Sequence, residues 1–262
     1  MGKADNQYYG HAFEEAICCI LNNEEGNFDY YNFSSEELEN IMNCAATASK
    51  YFKKGRAIYN GRRVMDTGDI IVDGETYEVK FVSSGSGTYL NTSMRLLDFF
   101  LPFTYLPYME AAGIFDCYKK NNIKYSYDIS PIKSTIEASR LRKQNSAFTK
   151  EIGELDKIAR TNYVKDVYNY FCSHREQLAQ FLTSLITKDN YAEKQIPDHY
   201  IVYNYKNNSV INLNKNDILH SIDISDFKNS GLGLVFKNVR VAIGYQNGNG
   251  ICNPTLRVFL RD

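Results

Sequence analysis

Residues 67–82 read TGDIIVDGETYEVKFV, and the fold prediction starts from their pattern. Apolar and polar side chains alternate at a period of two around Asp73-Gly74, which is the pattern of two β-strands. An Asp-Gly pair between two such runs is among the strongest short sequence signals for a hairpin with a type I′ turn. We therefore predict a β-hairpin that reverses at Asp73-Gly74.

The register of this hairpin places two acids and a lysine on one face. Counting outward from the turn, Asp69 and Glu78 are directly opposite, with Cβ atoms about 4.5–5.5 Å apart. Lys80, two residues beyond Glu78, projects from the same face. Opposed carboxylates destabilise a sheet unless something neutralises them, and a divalent cation would do so. The other face is apolar and predicts the core side; it consists of Ile70, Val72, Tyr77, Val79 and Phe81.

Phosphodiester hydrolysis is the chemistry that uses such a trio. Mg²⁺ prefers oxygen ligands and keeps several waters, so Asp69, Glu78 and a main-chain carbonyl, which we assign to Val79, suffice to hold it. The ion polarises the phosphate and lowers the pKa of bound water. Lys80 can position or deprotonate that water and stabilise charge on the phosphate. The alternative is a solvated hairpin face with ordinary charges.

Thr67-Gly68-Asp69, eight intervening residues and then Glu78-Val79-Lys80 resemble the signature of the PD-(D/E)xK nuclease superfamily. Gly68 stands where that family often has proline. The resemblance implies that Asp69 and Glu78 hold the metal and that Lys80 is catalytic. It also implies an α/β, restriction-endonuclease-like fold, with a mixed β-sheet of about four or more strands flanked by helices. Family members often place a glutamate of the first helix near the metals, and Glu14 is the candidate.

Within the superfamily, both ends of the chain are similar to type II restriction endonucleases of the HaeIII-type group, whose target is GGCC. The similar residues are Gly10, Ala12, Phe13 and Glu14 at the start and NGNGICNPTLRVFL at 247–260. This resemblance implies cleavage of double-stranded DNA at a short palindromic site. A palindrome calls for a two-fold protein, so we expect a homodimer.

Two segments near the hairpin are candidates for DNA contact. Residues 53–63 read KKGRAIYNGRR, with five basic side chains and no acid. We predict phosphate contacts by this run, although a solvated basic face is the alternative; its basic residues are Lys53, Lys54, Arg56, Arg62 and Arg63. The loop SSGSGTYLNTS at 83–93 could offer hydroxyl and N–H groups to phosphate or be a flexible connector; we assign Ser83, Ser84 and Ser86 to this role.

Composition and charge narrow the class of protein. The chain has 262 residues, 44% of them hydrophobic, which suits one large domain or one domain with an insertion. A net charge of −1 argues against a general nucleic-acid coat protein but permits a site-specific enzyme. Scattered cysteines without a C-x-x-C pair and the lack of an apolar leader predict a cytoplasmic protein. The apolar run 99–109 is too short to cross a bilayer, so we expect no membrane partner.

The remaining pattern predicts helices before and after the hairpin, followed by strands. We predict a helix at 11–22 and a second one from Ser34, where Ser34 and Glu37 form a capping box flanked by a hydrophobic staple of Phe33 and Leu38. Residues 132–187 read as a helical insertion whose apolar stripe includes Ile158 and Tyr163. Residues 199–262 are strand-rich, with strands predicted at 199–205, 234–244 and 255–261. We interpret 1–262 as a single restriction-endonuclease-like domain.

Two other functions fit the same residues. A repair or junction-resolving nuclease of the same superfamily would prefer branched DNA. A non-catalytic DNA-binding protein would carry the hairpin charges without using them. Mg²⁺-dependent cleavage of plasmid DNA separates the enzymatic functions from the last one.

Overall fold

The computed structural model describes residues 6–61, 68–83, 90–123, 138, 140–186, 197–221, 223–237, 239–245 and 254–260. The chain divides into two compact units. The first unit is Met1–Tyr89 with Glu193–Ser221 and Leu260–Asp262, and the second is Leu90–Ala192 with Ile222–Phe259. The mixed α/β class is confirmed, and the interpretation of 1–262 as one restriction-endonuclease-like domain stays a prediction.

The elements alternate along the chain between helices and strands. The labelled α-helices of the described residues are α1 (Asn6–Asn22), α2 (Ser35–Ala48), α3 (Leu106–Ala111), α4 (Ile114–Lys120), α5 (Ser146–Ser173), α6 (Arg175–Ile186) and α7 (Lys215–Ser221). The strands are β1 (Ala57–Tyr59), β2 (Ile70–Val72), β3 (Glu75–Val82), β4 (Leu90–Ser93), β5 (His199–Asn204), β6 (Ser209–Asn214), β7 (Lys228–Asn229), β8 (Gly233–Val235), β9 (Val239–Tyr245) and β10 (Pro254–Leu260). Short 3₁₀ helices cover Asp29–Tyr31, Ser49–Tyr51, Met94–Phe99 and Ile224–Asp226.

The first unit is built on a five-stranded mixed sheet in the order β1-β2-β3-β5-β6. β3 and β5 run parallel, whereas the other neighbouring pairs are antiparallel. The mixed sheet predicted from the sequence is therefore present. Since β3 is the third strand of five, the hairpin lies in the middle of the sheet.

The hairpin forms with the predicted turn. Asp73 has φ +47° and Gly74 has φ +83°, and a type I′ turn requires positive φ at both central residues. β2 and β3 pair from Val72 with Glu75 to Ile70 with Tyr77, as predicted. The predicted apolar face is buried at Ile70, Val72, Tyr77 and Val79, and Phe81 is partly buried against the same core.

Helices α1 and α2 contribute the other half of this core. Phe13 and Ile17 of α1 and Ile41 and Ala45 of α2 are buried in it together with the hairpin's apolar face. α1 begins earlier than predicted, at Asn6. The capping box of α2 is confirmed, because the Ser34 side chain accepts the N–H of Glu37 at 3.2 Å while the Glu37 carboxylate accepts the N–H of Ser34 at 2.9 Å. The sequence signal at Ser34 is thus a true helix start.

Replacing Ser34 with alanine should lower the free energy of unfolding by about 1 kcal/mol, because an N–H in the first turn of α2 loses its acceptor. Urea denaturation followed by circular dichroism measures this loss. The matched control is Ser35→Ala, one residue later, which should change stability by no more than about 0.5 kcal/mol. Equal effects of the two substitutions would show that the cap does not stabilise the helix.

The second unit pairs helices with a second sheet in the order β4-β10-β9-β8-β7. The described pairings β4/β10, β7/β8 and β8/β9 are antiparallel. Helices α5 and α6 confirm the helical region across its described part, while 132–137, 139 and 187 lie outside the described residues. No helix in the described ranges is long and apolar enough to span a membrane.

Two details of the second unit differ from the sequence prediction. The predicted strand 234–244 is in fact the pair β8 and β9, which reverse where the Phe236 N–H donates to the Val239 carbonyl at 2.7 Å. Ile158, placed in the apolar stripe of α5, is exposed. Asp156 is buried instead, paired with Arg160 at 2.6 Å, and Arg160 also donates to the Ile243 carbonyl at 3.0 Å. Asp156 and Arg160, one helical turn apart, thus form an ion pair at a buried position of α5. A count of apolar residues does not predict that a charged side chain is buried there.

Candidate active site

Asp69, Glu78 and Lys80 come together on the hairpin. The Lys80 Nζ lies 3.2 Å from Asp69 Oδ2 and forms an ion pair with Glu78. These side chains are 19%, 23% and 28% exposed for Asp69, Glu78 and Lys80 in turn, so the cluster is partly withdrawn from water. One ammonium group therefore pairs with two carboxylates in a partly buried position, which leaves the trio with a net negative charge.

Asp69 reaches this cluster by a route that the sequence register did not predict. Its N–H donates to the Tyr77 carbonyl at 2.8 Å, although Tyr77 already pairs with Ile70. Two consecutive residues thus face one residue of β3, as in a β-bulge, and the predicted direct opposition of Asp69 and Glu78 is wrong. The Asp69 Oδ2 instead accepts the N–H of Val79 at 2.8 Å. The bulge turns the carboxylate across β3 and towards Lys80.

Gly68 makes this bulge possible. It has φ +76°, and a Cβ at this position would lie 3.1 Å from the N and O atoms of Tyr77. Proline, whose φ is fixed near about −65°, could not adopt this conformation. Glycine at this position therefore has a local physical reason.

Glu14 of α1 belongs to the same cluster. Its side chain is buried, and burial raises the pKa of its carboxyl to about 7. The bond to His11 and the charge of Lys80 act against this rise, whereas the charge of Asp69 adds to it. Glu14 therefore lies close enough to Asp69 and Lys80 to interact with their charges, and its role as an additional acid of the site stays a prediction.

His11 contacts Glu14, and Tyr59 in turn contacts His11. The His11 Nδ1 lies 3.4 Å from Glu14 Oε2 and 2.9 Å from the Tyr59 hydroxyl. A Cβ added at Gly61 would lie 2.5 Å from Glu14 Oε2, so a larger residue there would displace this carboxylate. Sequence reasoning missed these residues, although the spacing of His11 and Glu14, one helical turn apart, places both on one face of α1.

The charge state of Lys80 decides its chemical role. Desolvation acts to lower the pKa of Lys80, but attraction to Glu78 and Asp69 outweighs it and holds this pKa above its ordinary value. The side chain is therefore an ammonium ion. In this form it can position groups and stabilise negative charge.

Hard oxygen atoms are the donors that this cluster offers to a metal ion. In the part of the chain that the structure describes, no three His, Cys, Asp or Glu side chains are arranged to hold one ion. Mg²⁺ commonly binds through one or two carboxylates, waters and substrate phosphates, so Asp69 and Glu78 fit this ion. The two hydrogen bonds described for Asp69, from the Val79 N–H and from Lys80, both use Oδ2. The N–H of Val79 is occupied by Asp69, and the role of its carbonyl stays a prediction.

The candidate DNA contacts are described in part. Lys53 forms an ion pair with Glu75 at 3.0 Å, while Lys54 and Arg56 are exposed just before β1. Ser83 is partly buried after the end of β3. The predictions for Arg62, Arg63, Ser84 and Ser86 lie outside the described residues.

Comparison with known proteins gives no relative from which to transfer a function. No family model matches the chain, and neither a curated protein nor a solved structure matches it significantly. The residues of the site are therefore the only basis for proposing a function.

Proposed function

We propose that this protein is a Mg²⁺-dependent type II restriction endonuclease that hydrolyses phosphodiester bonds of double-stranded DNA at a short palindromic site. The observation that carries the proposal is the meeting of Asp69, Glu78 and Lys80, with Glu14 beside them, in one partly buried cluster. The likeness of the chain ends to the HaeIII-type group makes GGCC the first target to test. A palindromic target implies a homodimer with one such site in each copy.

The free-energy cost of burying these carboxylates supports a catalytic role for the cluster. Burial penalises a carboxylate unless it is paired, and here Asp69 and Glu78 share one lysine while Glu14 is buried close to their charges. Buried titratable groups with shifted pKa values concentrate at functional sites. An ordinary solvated hairpin face would not place a buried helix glutamate close to these charges. The geometry thus favours a catalytic site over surface charges.

Each residue has a defined part in the proposed reaction. When bound, Mg²⁺ supplies polarisation of the phosphate and a water of lowered pKa. Asp69 and Glu78 supply its carboxylate ligands, with the Val79 carbonyl as the third protein oxygen and Glu14 as an additional acid. The Lys80 ammonium stabilises the negative charge that develops on the phosphate oxygens. His11 and Tyr59 hold the Glu14 carboxyl in place.

Truncating Lys54 or Arg56 to alanine should weaken binding equally on specific and random DNA, because each would lose a phosphate contact. Each substitution should also reduce the slope of log affinity against log salt by about one unit. Lys53 already neutralises Glu75, so Lys53→Ala should have a smaller effect. Fluorescence anisotropy at several NaCl concentrations measures these changes. Equivalent truncations complete the set of predicted contacts, namely Arg62, Arg63, Ser83, Ser84 and Ser86.

A change of site preference in any of these variants would contradict the assignment, because it would mean that the residue reads bases. Glu154→Gln on the exposed side of α5 is a control for the effect of one unit of charge. It should leave the salt slope unchanged.

Plasmid digestion followed by sequencing of the fragment ends tests the proposed function. Discrete ends at one short palindrome are expected with purified protein and Mg²⁺. Preferential cutting of a four-way junction would favour a junction-resolving nuclease, and binding without cutting would favour a non-catalytic DNA-binding protein. Either of these results would overturn the restriction-endonuclease proposal.

A further inference from the structure

A cavity of about 430 Å³ lies among the first turns of α1, the 3₁₀ helix Asp29–Tyr31 and the start of α2. Aromatic rings make up most of its lining, and one carboxylate joins them; the residues used below are Tyr8, Tyr9, Tyr30, Tyr31, Phe33 and Glu37. This lining includes none of the residues of the hairpin cluster. The cavity is therefore separate from the candidate active site.

The rings form fixed walls. Tyr8 and Tyr31 meet edge to face, with centroids 6.3 Å apart and an interplanar angle of 83°. Tyr31 is buried and backed by Phe33, whose ring stacks on it at 5.4 Å with an angle of 6°, and Phe33 also stacks on Tyr9 at 4.8 Å. The Tyr30 ring packs on Tyr31, with centroids 4.2 Å apart and an interplanar angle of 37°. Tyr8 and Tyr30 are 53% and 48% exposed, so part of each ring is accessible to a ligand. The result is a corner of tyrosine faces on a packed base.

The charge around this corner is negative. Glu37 accepts hydrogen bonds from the Tyr9 hydroxyl and from Ser34, which lower the pKa of its carboxyl and keep it ionised. Glu15 is the second carboxylate at this corner, because it accepts a hydrogen bond from the Tyr30 hydroxyl. Two carboxylates beside the rings favour a cation over a phosphate group.

We propose that this aromatic corner binds an organic cation of the alkylammonium class. The face of an aromatic ring carries negative electrostatic potential and attracts a cation within about 6 Å of its centroid. Several ring faces that meet at an angle surround such a cation, as in the cages that recognise quaternary ammonium groups. Glu37 adds a full negative charge without donating a proton. The proposal is independent of the nuclease function.

Titration with tetramethylammonium chloride tests the site in the full-length protein. Tyrosine ring signals in ¹H–¹³C NMR spectra should shift in a saturable way for Tyr8 and Tyr30 when ionic strength is held constant with NaCl. The same titration with tert-butanol, which is similar in shape but uncharged, should give no saturable shift. Equal responses to the two probes, or no saturation with the cation, would overturn the proposal.

Variants locate the binding. Tyr8→Leu and Tyr30→Leu should each weaken tetramethylammonium binding about fivefold or more, whereas Tyr30→Phe should retain binding because the ring remains. Glu37→Gln should also weaken it while keeping the cap of α2, since glutamine serves in a capping box. Tyr51→Leu, which removes an exposed tyrosine outside the cavity, is the matched control and should leave binding unchanged. Unaltered binding in the Tyr8 and Tyr30 leucine variants, with circular dichroism showing intact folding, would refute the site.

The source of the cation is distinguished by a second probe. A short peptide with one trimethyllysine and the free tetramethylammonium ion share the same head group. Tighter binding of the peptide would point to a protein side chain as the ligand, and equal binding would point to a small free cation. Both results support the site, whereas binding of the peptide that survives Tyr8→Leu and Tyr30→Leu would contradict it.

Discussion

Lys80→Ala should lower the single-turnover rate of DNA cleavage by about 10²-fold or more, which is typical of a positioned charge-stabilising group. Asp69 and Glu78 remain to hold Mg²⁺, so binding of the ion and of DNA should stay near normal. The substitution should slow the chemical step itself, because it removes the ammonium group that lies between the two acids. Rapid-quench measurement at saturating DNA gives the rate directly.

Two further variants make the Lys80 test specific. Lys80→Arg should rescue only part of the rate, because the guanidinium is larger and differs in geometry from an ammonium. Lys120→Ala removes a lysine that is paired with Glu151 on the surface of the second unit, and it should leave the rate unchanged. An unchanged rate in Lys80→Ala would contradict the assignment of the hairpin as a catalytic site.

Asp69→Asn and Glu78→Gln should each abolish Mg²⁺-dependent cleavage while DNA binding without metal is retained or improved. Each substitution removes a ligand charge and also removes repulsion of the DNA phosphates. The amide variants preserve shape, and the asparagine oxygen can still accept the N–H of Val79 that holds the bulge. Filter binding in EDTA and cleavage in Mg²⁺ measure the two effects separately.

Glu75→Gln is the matched control for these acids. Glu75 lies on the same strand, at the turn end of β3, where it forms an ion pair with Lys53 and a hydrogen bond with His199. Its substitution should leave cleavage at saturating DNA unchanged. Joint loss of binding and cleavage in the Asp69 and Glu78 variants would instead indicate a folding defect and remove the support for a metal site.

The features that the sequence predicted well are those with a short-range cause. Asp73-Gly74 determines the turn because few residue pairs accept positive φ at two successive positions. Ser34 and Glu37 determine the start of α2 because their side chains satisfy each other's N–H groups. The hairpin pairing next to the turn follows from these local preferences. It correctly placed Lys80 and both acids in one cluster.

The features that the sequence prediction missed depend on departures from regular geometry or on residues distant in the chain. Counting along β2 assumes an unbroken ladder, but Gly68 permits a bulge that moves Asp69 away from direct opposition to Glu78. The burial of Glu14 and the contact of His11 with Tyr59 follow from the packing of α1 against β1, which no local pattern reports. A count of apolar residues likewise read 234–244 as one strand, where Lys237 and Asn238 separate two apolar runs.

Cleavage of supercoiled plasmid DNA by the wild-type protein and the Glu78→Gln variant, each in Mg²⁺ and in EDTA, tests whether the hairpin is a metal-dependent nuclease site. We expect discrete linear fragments only for the wild-type protein in Mg²⁺, whereas the variant should leave the plasmid supercoiled although it still binds DNA. Intact plasmid with the wild-type protein in Mg²⁺, or equal cutting by the Glu78→Gln variant, would contradict a metal-dependent nuclease site at this hairpin.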